Sequence, residues 1–262
     1  MKALTVVKVG GKIVEDELSL KQLLKDFSAL AEDKVLVHGG GRSATKLAEQ
    51  MGLETTMIGG RRVTDADMLR VVTMVYAGLV NKNVVAKLQA CGVNAVGLTG
   101  ADLGVMLAEK RKPVKIADEM VDFGFVGDVE KCNGQTLASL IQLGAVPVMA
   151  PITHDGQGQL LNTNADTIAA ETAKSLVPFF DVTLVYCFEK LGVLSDEMDD
   201  FSVIPHITAA DFPTLVERGT ISGGMIPKIE NALSACRAGV SRVVITRADR
   251  IGQEGGTVIT LN

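Results

Sequence analysis

Lys8 interrupts the apolar run VVKVGG at residues 6–11. A lysine among valines is costly to bury without compensation, so an anion is expected at the end of that strand. Gly10 and Gly11 follow it, and without β-carbons their backbone N–H groups can approach an anion closely. A second apolar run, KVLVHGGG at 34–41, ends in three glycines that lead into a helix. Backbone donors and the helix dipole at such a junction form a cradle for a phosphate or an oxyanion, with Gly40 and Gly41 as its candidate members. Neither stretch is a Walker A loop or a G-x-G-x-x-G fingerprint. Taken singly, each also reads as a tight turn, with Lys8 reaching solvent along its own stem. Two glycine-rich strand ends on adjoining strands favour the anion site.

Three further stretches add polar groups. In GGRRVTD (59–65), Arg62 precedes a helix that begins around Asp65, where a guanidinium can clamp a carboxylate in bidentate fashion. A lone arginine there is more often a surface residue. In LNTNADTIAAETA, which starts at Leu161, extended backbone puts Asn162 and Asn164 on one side, and Asp166 enters the first turn of a helix. An N-cap at Asn164 and a dipole-favoured acid at Asp166 account for two of these residues and leave Asn162 unexplained. Finally, ISGGMIPKIENA (221–232) carries a glycine pair and then Lys228 in the first turns of a helix. Read by itself, Lys228 is an ordinary solvated lysine.

The elements that must position these groups alternate along the chain. Residues 3–9 are a β-branched strand, 18–31 have helical apolar spacing, and 34–41 form a second strand, which makes a βαβ unit. Helices are predicted at 42–51 and 65–79, with an extension to 89 on the longer reading, Thr64 as N-cap and Asp67 as a first-turn acid. A strand follows at 94–98. The Asp- and Gly-rich segment 112–133 predicts hairpins. A buried strand at 145–152, a hairpin running into a helix at 165–176, a strand at 180–188, a helix at 225–239 and strands at 241–248 and 256–261 complete the pattern. Crossovers of this length imply a mostly parallel sheet covered on both faces, with ligands at the carboxyl ends of its strands. A soft division falls near residue 179.

Composition narrows the function. With 262 residues, 47% of them hydrophobic, the chain can bury a large core. A formal net charge of −5, 4% aromatic residues and the lack of a basic block argue against nucleic acid or an anionic membrane as partner. An anionic substrate must therefore be held by a few placed cations. The four cysteines, Cys91, Cys132, Cys187 and Cys236, are too dispersed for a zinc site or a disulfide framework. Without a signal-peptide pattern or a long apolar run, a cytoplasmic location is expected.

The ordered set KVGGK, VHGGG, RRVTD, NKNVVAKL, NTNAD and GGMIPK resembles the N-acetylglutamate kinase family of the amino acid kinase superfamily, over essentially the whole chain. The resemblance implies a three-layer αβα sandwich with a mostly parallel central sheet, the amino acid kinase or carbamate kinase-like fold, with β-hairpins near the substrate site. It also implies an N-terminal lobe (1–179) for the acyl amino acid and a C-terminal lobe (180–262) for the nucleotide, within one domain. The reaction implied is transfer of the ATP γ-phosphoryl to the side-chain carboxylate of an N-acylated glutamate, with Mg²⁺, on the arginine pathway.

Carried over residue by residue, Lys8 and Lys228 stabilise the transferring phosphoryl and Asp166 orients both lysines. Gly40, Gly41, Arg62, Asn162 and Asn164 hold the acyl amino acid. Gly10, Gly11, Lys190, Gly192, Ser222 and Gly224 hold the nucleotide. No protein metal site is implied. The chemistry is consistent with this set, because a carboxylate with a pKa near ~4.3 is already ionised at neutral pH and needs no general base.

Three features depart from the family pattern. YCFEKLGVL (186–194) replaces the usual nucleotide-site stretch, the C-terminal region is shorter and more polar, and the first strand begins almost at Met1. The last feature leaves no room for the N-terminal helix of arginine-inhibited hexamers, so a homodimer without that control is expected. N-succinylglutamate is an alternative substrate that calls for a further cation such as Arg61 or Lys82. RRVTD and NTNAD suit the N-acylglutamate branch better than kinases of carbamate, aspartate, glutamate or UMP. A non-catalytic amino-acid or nucleotide sensor is the alternative from another class, and the presence of Lys8, Asp166 and Lys228 counts against it.

Overall fold

The computed structural model describes every residue except Ala117, Asp118, Glu197, Gly224 and Glu254. The chain begins with β1 (Ala3–Val9), α1 (Gly11–Glu15), α2 (Glu17–Ala29), β2 (Asp33–His38) and α3 (Gly41–Gln50). A hairpin follows, β3 (Met57–Ile58) and β4 (Arg61–Arg62), then α4 (Ala66–Val72), a π-helical segment (Thr73–Val80) and α5 (Asn81–Ala90). Next come β5 (Ala95–Leu98), β6 (Met106–Lys110), β7 (Val114–Ile116), β8 (Glu119–Val121), β9 (Gly127–Cys132) and α6 (Gly134–Gln142). The remaining elements are β10 (Val146–Met149), β11 (Ile152–His154), β12 (Leu160–Asn162), α7 (Ala165–Leu176), β13 (Asp181–Phe188), β14 (His206–Thr208), α8 (Asp211–Glu217), α9 (Met225–Arg237), β15 (Arg242–Arg247) and β16 (Thr257–Thr260).

The central sheet has eight strands in the order β14-β16-β15-β13-β1-β2-β10-β5. All adjacent pairs are parallel except β15 with β16. Strand parity divides the core into two layers. Leu4, Val6, Val35, Val37, Leu184 and Tyr186 pack in one cluster with residues of α6, α7 and α9. Val7, Val9, Leu36, Val185 and Cys187 pack in the other with residues of α2, α3, α4 and α5. This is the three-layer sandwich implied by the βα alternation. Because side chains alternate across a strand, Lys8 projects toward the layer of α7 and α9, while His38 projects toward that of α5.

Several local expectations change. The predicted strand 145–152 breaks after Met149, since Pro151 has no N–H for the ladder, and the chain re-enters a separate four-stranded sheet, β12-β11-β6-β9. Part of the 112–133 segment forms the predicted hairpin as β7 and β8, but β9 pairs with β6, a strand that the sequence reading lacks. The second strand ends at His38 rather than Gly41, and Gly11 opens the short helix α1. The cap of α4 is Asp65, whose side chain accepts from the Met68 N–H, and not Thr64. Thr64 is fully buried instead. Helix 66–90 is continuous through the π-helical segment, whose wider turns carry Tyr76 and Val80 onto Gly40. Hairpins β3–β4 and β11–β12 flank one cleft, and the first turns tightly through Gly59 and Gly60, both at positive φ.

Candidate active site

The carboxyl ends of β1 and β2 lie side by side, Val9 opposite His38. Their glycines pack directly on each other. A β-carbon on Gly39 would lie 3.0 Å from the Gly11 nitrogen. One on Gly11 would lie 3.4 Å from the nitrogens of both Gly40 and Gly41, so the space beside Gly11 faces two backbone amides. Neither amide has a protein acceptor among the described residues. Gly40 must itself lack a side chain, because a β-carbon would meet the Tyr76 ring at 2.9 Å.

Lys8 is 7% exposed, and its ammonium lies 2.7 Å from Asp166 Oδ1 in the first turn of α7. That oxygen is buried, and the pair is a close, charge-assisted contact. Asn164 caps the same helix, accepting from the N–H groups of Asp166 and Thr167. Tyr186, beside Lys8 in register, donates its hydroxyl to the Asp166 carbonyl at 3.4 Å.

Lys228, in the first turn of α9, reaches the same place from the other side of β13. Its ammonium lies 4.1 Å from the centroid of the Phe188 ring, and that of Lys8 lies 5.7 Å from it. Burial holds the Lys228 ammonium below the ordinary lysine range, with Asp166 opposing the shift and Lys8 adding to it. Two ammonium groups and one carboxylate therefore share a partly desolvated region around one aromatic ring. Such an arrangement attracts a polyanion and holds it against fixed charges.

Two clefts meet here. The first is about 210 Å³ in volume and open to solvent. Its lining includes Gly40, Gly41, Arg61, Arg62, Asn162 and Asn164, with Arg111 at its edge. Arg62 is 8% exposed and donates to the Gly41 carbonyl and to Thr45 Oγ1, both at 2.8 Å. Asn162 donates to Thr64 Oγ1 at 2.9 Å, the contact that explains both its burial and that of Thr64. The second cleft is lined by Gly10, Gly11, Gly41, Phe188, Lys190, Gly192 and Lys228, among others. Gly41 belongs to both.

The structure thus brings together Lys8, Asp166, Lys228, Gly10, Gly11, Gly40, Gly41, Arg62, Asn162 and Asn164. Other sequence candidates fare differently. Lys190 lies at the second cleft, paired with Asp200 at 2.5 Å. Gly192 has a packing reason of its own, since a β-carbon would meet Thr257 Oγ1 at 2.6 Å. Ser222 is exposed and does not line either cleft, its carbonyl accepting from the Met225 N–H. Gly224 lies outside the described residues. Lys82, one candidate for an extra cation, is turned away to Asn81 Oδ1 and the Gly97 carbonyl, whereas Arg61 lines the first cleft.

Sequence reasoning missed Phe188, Tyr76 and Arg111, and it read Thr64 as a helix cap rather than a buried partner of Asn162. Phe188 was within reach of strand parity, being two residues beyond Tyr186 on the face that also carries Lys8. The other three owe their places to tertiary contacts and carry no local signal. Among the described residues, no group of three or more His, Cys, Asp or Glu side chains could hold a metal ion. No helix among them is long and apolar enough to cross a membrane.

The sequence model of the amino acid kinase family matches residues 3–247. An acetylglutamate kinase from Phocaeicola vulgatus is 66% identical over 256 residues, 98% of either chain. The crystal structure of smu.665 from Streptococcus mutans UA159 superposes with a TM-score of 0.78 at 30% identity, covering 99% of both chains. An N-acetylglutamate synthase from Neisseria gonorrhoeae, solved with coenzyme A and N-acetyl-glutamate, gives a TM-score of 0.80 at 24% identity. It covers all of this chain and 60% of that one, and is a likeness of fold alone.

Proposed function

Since the chain belongs to the amino acid kinase family, we propose that it transfers the γ-phosphoryl group of ATP to the γ-carboxylate of N-acetyl-L-glutamate, a step of arginine biosynthesis. The observation that carries this reading is the convergence of Lys8, Asp166 and Lys228 around Phe188, which lines the second cleft, beside a first cleft that shares Gly41 with it. The first cleft receives the acyl amino acid, through residues of 1–179. The second receives ATP, with residues of 180–262 forming much of it.

In the reaction a γ-carboxylate oxygen bonds to the γ-phosphorus, the bridging bond to the β-phosphate breaks, and ADP leaves with that electron pair. The attacking carboxylate is ionised at neutral pH, so the protein moves no proton. Its task is to hold two anions in line and to stabilise charge on the migrating group. Lys8 and Lys228 supply that charge, Asp166 keeps Lys8 in place, and the amides of Gly11, Gly40 and Gly41 face the phosphoryl oxygens. Arg62 and Asn162 hold the α-carboxylate and the amide region, and Asn164 fixes the start of α7. Mg²⁺ supplies charge neutralisation along the phosphate chain. With no cluster of protein ligands among the described residues, the donor set fits an ion carried on the nucleotide.

Purified protein with Mg·ATP and N-acetylglutamate should yield a product that hydroxylamine traps as a hydroxamate. If folded protein forms no hydroxamate from any N-acylglutamate, a non-catalytic sensor takes the place of this reading. A second acyl group is favoured by a specific observation: Arg61 and Arg111 line the first cleft in addition to Arg62, and Arg111 is held there by Asp128. N-succinylglutamate, with one more carboxylate, would use such a cation. A kcat/KM for the succinyl substrate well above that for the acetyl one would make it the physiological choice. We further propose a homodimer in the cytoplasm. Half-exposed Met51 and Met74 share an apolar groove with Leu53 and Leu69, a surface suited to a second copy. Light scattering that gave the mass of one chain would overturn the dimer.

A further inference from the structure

His38 lies at the end of β2, fully buried, on the opposite face of the sheet from the lysines. Its Nδ1 lies 2.8 Å from the Gly39 carbonyl oxygen. A carbonyl only accepts, so Nδ1 carries the ring proton and Nε2 is the acceptor. Asn81 completes the assignment, its Nδ2 lying 3.1 Å from Nε2 and donating also to the Val148 carbonyl at 2.9 Å. Asn81 Oδ1 in turn accepts from Lys82 at 3.0 Å. Room for this amide exists only because residue 97 is glycine, since a β-carbon there would lie 1.9 Å from Asn81 Oδ1. Every polar atom of the His38 ring and the Asn81 amide is thereby engaged.

The consequence lies in the peptide unit that follows. The Gly39 carbonyl and the Gly40 N–H belong to one planar trans amide, so they point in opposite directions. A glycine pair has little intrinsic preference for the orientation of that plane. The His38 Nδ1–H bond to the carbonyl removes the freedom and turns the Gly40 N–H away from the imidazole; the Gly40 nitrogen borders the space beside Gly11, and its N–H has no protein acceptor among the described residues. Resting on the kinase reading above, we infer that His38 is a positioning residue for phosphoryl transfer: through the Gly39 carbonyl it orients the Gly40 amide that receives charge on the migrating group. The imidazole touches neither substrate nor phosphate, and it exchanges no proton during turnover.

The two ring nitrogens can be tested separately. Asparagine places an N–H near the Nδ1 position, and glutamine places a carbonyl oxygen near that of Nε2. His38→Asn should therefore keep kcat within about 3-fold of the parent, even though it loses the bond to Asn81. His38→Gln keeps the Asn81 contact but loses the bond to Gly39, and should lower kcat by roughly 10- to 100-fold, with the KM for either substrate changed by less than about 3-fold. Equal kcat for both variants, or losses that merely follow their melting temperatures, would overturn the inference. A measurement without variants stands beside it: ¹⁵N shifts of the wild-type ring at pH 7 should show Nδ1 protonated and Nε2 bare, and the reverse tautomer would overturn the inference. Wild-type protein that forms no acyl phosphate would defeat the kinase reading, while the ring shifts would still decide whether His38 holds the carbonyl.

Discussion

Lys8 on β1 and Asp166 in the first turn of α7 meet at 2.7 Å, the lysine almost wholly buried and the carboxylate side chain 32% exposed. Lys8→Met should lower kcat by about 10²–10³ with substrate KM values little changed, because the ammonium acts on charge that develops in the transition state. Asp166→Ala should also cost about 2 kcal/mol of stability in urea unfolding, less than a fully buried pair would, because its exposed part is already screened by water.

Gly11→Ala isolates the amide cradle. The added methyl meets the Gly40 and Gly41 nitrogens at 3.4 Å, an ordinary contact, so the fold should tolerate it and the melting temperature should hold or rise. It occupies the space those amides face, and kcat should fall at least 10-fold. Unchanged turnover would show that the phosphoryl group does not use this space.

Arg62→Lys tests substrate recognition. A lysine cannot reproduce the guanidinium's bonds to Gly41 and Thr45 together with a bidentate grip on a carboxylate. The KM for the N-acylglutamate should rise roughly 10- to 100-fold while that for ATP stays the same, as initial-rate kinetics would show.

The alkaline limb of the pH profile should belong to Lys228. Burial lowers its pKa, so in the free enzyme it loses its proton before an ordinary lysine does. The plot of kcat/KM should fall on that limb, and Lys228→Arg should flatten it. Stability should move the other way. Between the folded and unfolded pKa values the unfolded chain binds more protons, so this residue's contribution to stability rises with pH.

His38 makes the acid side distinctive. Its pKa is lowered to about 4, chiefly by burial, with the Lys82 charge adding to the shift and the Gly39 carbonyl opposing it. As pH falls from about 6.5 toward 4 the unfolded chain takes up this proton first, so stability should drop across that window by roughly 3 kcal/mol. Urea midpoints measured through that range should show the slope in the parent and a shallower one in His38→Asn.

Local signals carried much of the fold. The β-branched runs of β1, β2 and β13 and the apolar spacing of α2, α7 and α9 are set by near neighbours, and they appeared close to where periodicity placed them. Misreadings arose where distant contacts decide. Thr64 resembled a helix cap, but Asn162 reaches across to hold it inside the protein. Pro151 ended a strand that hydropathy alone had continued. The β6 strand exists because β9 and β11 pair with it, and nothing within its own residues announces that.

By itself the sequence determined the chemistry on offer: two lysines, one acid, glycine-rich strand ends, an arginine and a pair of asparagines, on a framework of alternating strands and helices. Residue type and short-range periodicity are local properties, and a single chain displays them in full. Tertiary structure alone decided which of these groups share a space. Strand parity and sheet order turned Lys8 toward α7 and His38 toward α5, placed Phe188 against both lysines, and took Lys82 and Ser222 out of the clefts. Convergence of that kind is a property of packing between segments far apart in the chain, and no window of sequence contains it.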